Sequence, residues 1–217
     1  MILKIQEGSK LIMVGDSVTD CERARPVGEG LFGATGKGYV GLVDGLLQDA
    51  YPERKIRVVN MGCSGDTIWH VNGRWQTDVV DQKPDWVSIM IGVNDVWRQF
   101  DLPLQKEIHI YIDQYEKILD ELVSKTVKTV KGMVLMTPFY IEPNPTEPMR
   151  AMIDQYGAVV KRTAEKYGTE FVDTQKAFNR VLEHCHSASL AWDRVHPNIN
   201  GHMIIAKAFL NSVDYSW

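Results

Sequence analysis

Four short segments carry the residues able to do chemistry: Gly15-Asp16-Ser17, Gly62-Cys63-Ser64-Gly65, Gly92-Val93-Asn94-Asp95 and Asp193-Arg194-Val195-His196-Pro197. Together they offer a hydroxyl, a flexible backbone N–H, a side-chain amide and an Asp/His pair, the parts of a serine hydrolase. A serine hydroxyl is a good nucleophile only when a base takes its proton during attack. Ser17 is the expected nucleophile and His196 the expected base. Asp193, three residues before His196, reaches that imidazole locally, accepts its Nδ1–H and fixes the tautomer. Pro197 sets the direction of the loop. Attack on an ester leaves negative charge on the former carbonyl oxygen, so donors must await it. The expected donors are the backbone N–H groups of Ser17 and Gly65 and the side-chain amide of Asn94. Gly62 has the same backbone freedom as Gly65 and competes for that role. Asp16 and Asp95 are expected to brace loops rather than to catalyse.

These segments are useful only if the chain brings them to one place. Short apolar runs rich in Val, Ile and Met predict buried strands at Lys10–Gly15, Ile56–Asn60, Asp85–Gly92, Lys131–Met136 and Thr169–Asp173. Helical spacing appears between them. Tyr39, Val40, Val43, Leu46 and Leu47 form one face, stopped at Tyr51-Pro52. Ile108, Ile112, Tyr115, Ile118, Leu119 and Leu122 form another. Met152, Ile153, Tyr156, Val159, Val160 and Ala164 form a third, ended by Gly168, and a last helix is expected from about Gly201 to Leu210. Alternating strands and helices predict an α/β fold: a single-domain, flavodoxin-like three-layer α/β/α sandwich over residues 1–217. Its five-stranded parallel sheet has the order 2-1-3-4-5, with right-handed crossovers. In such a sheet ligands bind beyond the carboxyl ends of the strands, where all four segments fall. Glu142–Pro148 is expected to form a loop over that edge.

Gly15-Asp16-Ser17, Gly65, Gly92-x-Asn94-Asp95 and Asp193-x-x-His196 resemble, in order and spacing, the four sequence blocks of the SGNH (GDSL-type) esterases and lipases. Val18-Thr19 stands where many members have Leu-Ser. A closer resemblance, to bacterial intracellular acetylxylan esterases, is carried by Gly15–Pro26, Lys83–Arg98 and Ala191–Pro197. That resemblance implies removal of acetyl groups from xylo-oligosaccharides. It also implies a Ser17, Asp193, His196 triad and an oxyanion hole containing Gly65 and Asn94. The rival readings are a longer-acyl esterase or lysophospholipase, a catalytically silent carbohydrate-binding module and a metal-dependent hydrolase. Arg23, Trp97, Arg98 and Trp192 are the expected substrate-binding residues, since indole and guanidinium groups stack on sugar rings and bind their hydroxyls.

Other features carry less. Gly28-Glu29-Gly30-Leu31-Phe32-Gly33 spells a dinucleotide fingerprint but does not open a helix directly after a strand. His184 and His186 flank Cys185 without further ligands at metal-site spacing, so no metal and no cofactor are expected. His202 is expected to pack below the triad, and Cys21 and Cys63 to be structural thiols near the crevice. The 217 residues suit one domain, and 44% apolar with 24% charged residues is ordinary globular composition. A formal net charge of −4 argues against nucleic acid or acidic membrane as partner. Three scattered cysteines form no disulfide framework, and neither a signal sequence nor a membrane span is apparent, so the cytoplasm is expected. The expected partner is a small acetylated sugar or ester substrate. The apolar tail Val213–Trp217 predicts a homo-oligomer, because an exposed Trp is costly.

Overall fold

A computed structural model describes residues 2–217; Met1, where the expected domain begins, lies outside the described residues. The strands are β1 (Lys10–Gly15), β2 (Arg57–Asn60), β3 (Trp86–Met90), β4 (Gly132–Met136) and β5 (Glu170–Val172). They form one parallel sheet in the order β2-β1-β3-β4-β5, as expected. Side chains alternate across it because successive residues of a strand point to opposite faces. Leu11 and Met13 of β1, Met90 of β3, and Val134 and Met136 of β4 enter one core. Ile12 and Val14, Val87 and Ile89, and Met133 and Leu135 enter the other. Both faces are therefore covered, which is why these strands read as continuous apolar runs.

The helices are α1 (Ser17–Asp20), α2 (Tyr39–Ala50), α3 (Ile68–Trp75), α4 (Val93–Asp101), α5 (Ile112–Thr126), α6 (Pro148–Tyr167), α7 (Thr174–Leu182) and α8 (Ile199–Ser212). Residues of α2, α7 and α8 fill the first core; those of α3, α5 and α6 fill the second. Helix α6 starts four residues before its first expected apolar position. Pro148 sits in its first turn, and the Glu147 carboxylate accepts the Arg150 N–H. Ile108 corrects the expectation for the α5 face: it lies in a separate 3₁₀ turn, Lys106–Ile108, and is exposed. Helix α3, the π-helical turn Gln76–Val80 after it, and α4 were not apparent in the apolar pattern.

The chain steps outward from β1 to β2 and then returns past β1 to β3. The crevice at this reversal lies between the carboxyl ends of β1 and β3. Ser17 follows β1 by two residues, and Asn94 follows β3 by four.

Candidate active site

Ser17 begins the four-residue helix α1, directly after the cap residue Asp16, whose carboxylate accepts the Val18 N–H at 3.0 Å. The turn presents the hydroxyl toward the far end of the chain, where the Ser17 Oγ lies 2.8 Å from His196 Nε2. The other ring nitrogen, Nδ1, is 2.6 Å from Asp193 Oδ2. The remaining carboxylate oxygen, Oδ1, accepts the backbone N–H groups of Val195 at 3.0 Å and His196 at 2.9 Å. Arg194 takes a left-handed conformation with φ +64°, which closes the turn tightly enough for one carboxylate to hold both backbone and ring. Partial burial alone would raise the Asp193 pKa. The bonds from the His196 ring and from the two N–H groups outweigh it and hold the carboxyl below its ordinary range. Asp193 thus stays ionised and fixes the proton on Nδ1, leaving Nε2 to accept from the Ser17 hydroxyl.

The two glycines that compete for the donor role differ in their surroundings. Gly62 is buried and its N–H is already given to the Asn60 Oδ1 at 2.8 Å. A β-carbon there would stand 2.3 Å from the Asp20 backbone nitrogen, so Gly62 serves close packing. Gly65 is exposed, has open space beside it and adopts φ +86°. Neither its N–H nor that of Ser17 has a hydrogen-bond acceptor among the described residues. Asn94, 2% exposed, donates one amide hydrogen to the Asp66 carbonyl at 2.9 Å. The Arg98 guanidinium donates to its Oδ1 at 3.3 Å, which fixes the orientation of the amide.

Asp16 and Asp95 brace loops, as expected. Asp95 accepts the Ile68 N–H through both oxygens, at 3.0 and 3.2 Å, and so ties the start of α4 to the start of α3. Burial pushes the Asp16 carboxyl up to about 7 and that of Asp95 up to about 8. His202 lies beneath the turn that carries Ser17 and Cys21. Its Nδ1 accepts the Tyr39 N–H at 3.1 Å and its Nε2 is 3.6 Å from the Cys21 thiol. Burial pushes its pKa down to about 4, so it is a neutral packing group. Burial also raises the Cys21 and Cys63 thiols, which keeps them protonated.

Of the four expected substrate-binding residues, the two tryptophans border the Asp193–His196 turn. Trp97 packs beside the His196 imidazole, ring centroids 5.8 Å apart and tilted by 54°. Trp192, next to Asp193, is 87% exposed. Arg23 departs from expectation: it is 8% exposed and its guanidinium donates to the carbonyls of Gly62, Ala24 and Pro26. It braces the Gly62 loop and is not free at a rim. Arg98 is likewise engaged, with Asn94, with Asp101 and over the Trp97 ring at 5.1 Å. His186 uses its Nδ1 to accept the Ala188 N–H at 3.1 Å. Among the described residues no group of three or more His, Cys, Asp or Glu is arranged for a metal ion.

Two site-building residues escaped the sequence reading. Asn60, at the end of β2, donates to the Thr19 and Thr35 carbonyls, which docks the β2 end against the Ser17 turn. Glu142 pairs with Arg194 at 2.7 Å, while the Ile141 N–H donates to the Arg194 carbonyl at 2.9 Å. The Glu142–Pro148 loop is thereby joined to the triad turn. A buried Asn in place of the last apolar strand residue is the only local signal for Asn60; nothing local marks Glu142.

Known proteins bear on the same arrangement. An acetylxylan esterase of Geobacillus stearothermophilus is 60% identical over 215 residues, covering 99% of this chain and 98% of its own length. The crystal structure of Axe2, an acetylxylan esterase from that organism, superposes with a TM-score of 0.98 at 60% identity, covering 99% of this chain and 98% of its own. LAE5, an alpha/beta hydrolase from the metagenome of Lake Arreo, Spain, superposes at 0.96 with 52% identity and 98% coverage of both chains. The family model described as GDSL-like lipase/acylhydrolase matches residues 13–204, a span that contains all four segments. The chain belongs to the GDSL-like lipase/acylhydrolase family.

Proposed function

We propose that the protein is a serine esterase that removes acetyl groups from short acetylated xylo-oligosaccharides through an acetyl-enzyme on Ser17. The observation that carries this reading is the unbroken hydrogen-bonded line from Ser17 Oγ through His196 to Asp193, at 2.8 and 2.6 Å. Ser17 Oγ attacks the acetyl carbonyl carbon while His196 Nε2 takes its proton. The oxyanion is met by the Ser17 and Gly65 N–H groups and by the second amide hydrogen of Asn94. Collapse expels the sugar oxygen, which takes the proton from Nε2. Water then gives a proton to Nε2 and attacks the acetyl carbon; as the bond to Ser17 Oγ breaks, Nε2 returns that proton to Oγ, which releases acetate and restores the Ser17 hydroxyl and the neutral imidazole. In support, solved catalytic mutants of Axe2 replace a serine, an aspartate and a histidine, spaced along that chain as Ser17, Asp193 and His196 are here. Trp97 against His196 limits the room for an acyl chain, which favours acetyl, and Trp192 offers a face on which a sugar ring can stack.

Turnover of acetylated xylo-oligosaccharides and of p-nitrophenyl acetate, butyrate and octanoate, measured with wild type and Ser17→Ala, tests the reading. Acetate release from the sugars, sharp preference for the acetate ester and silence of Ser17→Ala are expected. Activity retained by Ser17→Ala overturns the triad; preference for octanoate favours a lipase-type substrate instead. Activity unchanged by a chelator is expected of this mechanism. The same reading puts the enzyme in the cytoplasm, consistent with three unpaired thiols, and cell fractionation checks it. It also makes the enzyme a homo-oligomer, in keeping with Trp217 left exposed at the end of the tail. A monomer mass by light scattering refutes that part alone.

A further inference from the structure

We infer that Arg74 is a positioning residue that holds the three oxyanion donors at their mutual spacing, an inference that rests on the donor assignment proposed above. Arg74 lies on α3, outside all four chemistry-bearing segments, and its side chain is largely buried. Its guanidinium reaches three of the segments' supports at once. Its Nη2 donates to the Gly15 carbonyl at 3.1 Å, two residues before Ser17. Its Nη1 donates to the Met61 carbonyl at 2.6 Å, where the Gly62–Gly65 loop leaves β2. Its Nε donates to the Asp66 Oδ2 at 2.7 Å, one residue after Gly65. The backbone carbonyl of that same Asp66 holds the Asn94 amide. Each donor is therefore within two residues, or one further hydrogen bond, of an Arg74 partner.

The guanidinium is itself held from behind by Asp78 at 2.8 Å, in the π-helical turn that follows α3. A planar, rigid fork can satisfy three differently directed acceptors in this way, and a lysine ammonium on a flexible stem cannot. The acceptors are two carbonyls and a carboxylate with little access to water, so their positions depend on this one group. The consequence is catalytic rather than merely structural because oxyanion donors act only when spaced for the tetrahedral intermediate.

The test is steady-state kinetics on p-nitrophenyl acetate with Arg74→Met, Arg74→Lys, Asn94→Ala and the double variant Arg74→Met/Asn94→Ala. Rates are taken per active site counted by fluorophosphonate labelling, well below each variant's unfolding temperature. Arg74→Met is expected to lower kcat about 10- to 100-fold with KM little changed, as for a small displacement of catalytic groups. Arg74→Lys is expected to recover only a minor part of that loss. The double variant is expected to fall far short of the product of the two single losses, because Arg74 acts partly through Asn94. A kcat per labelled site within twofold of wild type in Arg74→Met overturns the inference, as does full multiplication of the two losses. A Ser17→Ala enzyme that retains turnover would instead remove the reading on which the inference stands, so the two failures are distinguishable.

Discussion

Asn94 has two amide hydrogens and the fold uses one. The other has no acceptor among the described residues, while Arg98 on the amide oxygen holds the orientation of the group, as the proposed oxyanion donor requires. Asn94→Ala is expected to lower kcat on p-nitrophenyl acetate by about 10²–10³ with a small change in KM, the cost of one oxyanion donor. Asp193 is used completely, with one oxygen on the ring and the other on two backbone N–H groups. Asp193→Asn keeps much of the turn but presents the wrong partner to Nδ1, so a loss of about 10⁴ in kcat is expected with little loss of fold. Because the Asp193 carboxyl is held below its ordinary range, it stays ionised on acidification beyond the point at which a free carboxyl would take up a proton. The pH–rate profile is expected to fall on acidification, because only a neutral imidazole can accept the Ser17 proton; a profile flat through the acid range would contradict this assignment. The line from Ser17 through His196 to Asp193 was legible because a serine hydrolase demands those residue types, and two of them sit three residues apart. Arg23 and Arg98 were not. A guanidinium at a crevice serves substrate or scaffold according to partners such as Gly62, which is far away in sequence.

Elements enter through their ends. The N-terminus of α3 is tied to α4 by Asp95, whose two oxygens share the Ile68 N–H in a fully buried setting. Burial raises this carboxyl to about 8. The neutral form is thus the one the fold prefers. Its contribution to stability is full below the ordinary carboxylate range and is lost as the pH climbs through about 8. Asn offers the same acceptor with no charge to bury. Asp95→Asn is expected to flatten the fall of Tm between pH 6 and 9, which thermal melts across that range would read. A steeper fall in the variant would show that the ionised carboxylate, not the neutral acid, stabilises the cap. The strands were legible because burial on both faces forces continuous apolar runs. Helix α4 was hidden because its buried residues, Val93, Asn94, Asp95 and Val96, cluster at its start and half of them are polar. Helix α3 was hidden because it is short and passes at once into a π-helical turn.

At the scale of the whole molecule, the sheet and the site divide their tasks. The order β2-β1-β3-β4-β5 creates the crevice between β1 and β3 and delivers Ser17 and Asn94 to its two lips. The chain end must then bring Asp193 and His196 across to the β1 lip, and Glu142 with Arg194 secures that last turn. Stability, by contrast, comes mainly from the two apolar layers, which lie below the reacting atoms. The two properties should therefore separate on mutation. Ile89 is the fourth of the five residues of β3, is 2% exposed, and faces the layer formed by α3, α5 and α6. Ile89→Ala removes buried carbon and leaves a cavity, at a cost of roughly 2–5 kcal/mol. For a domain of this size that is a fall in Tm of about 5–15 °C. No polar partner of the site is touched, so kcat per labelled active site is expected to stay within about threefold of wild type at 25 °C, a small change beside the loss of an oxyanion donor. Asn60→Ala is the contrasting case. It loses donors to the Thr19 and Thr35 carbonyls and the acceptor of the Gly62 N–H, all beside the nucleophile turn. Its Tm and its kcat should fall together. If Ile89→Ala depressed kcat as strongly as Asn60→Ala, the donor geometry would depend on the packing of the sheet as a whole, and the division of tasks between core and crevice would not hold.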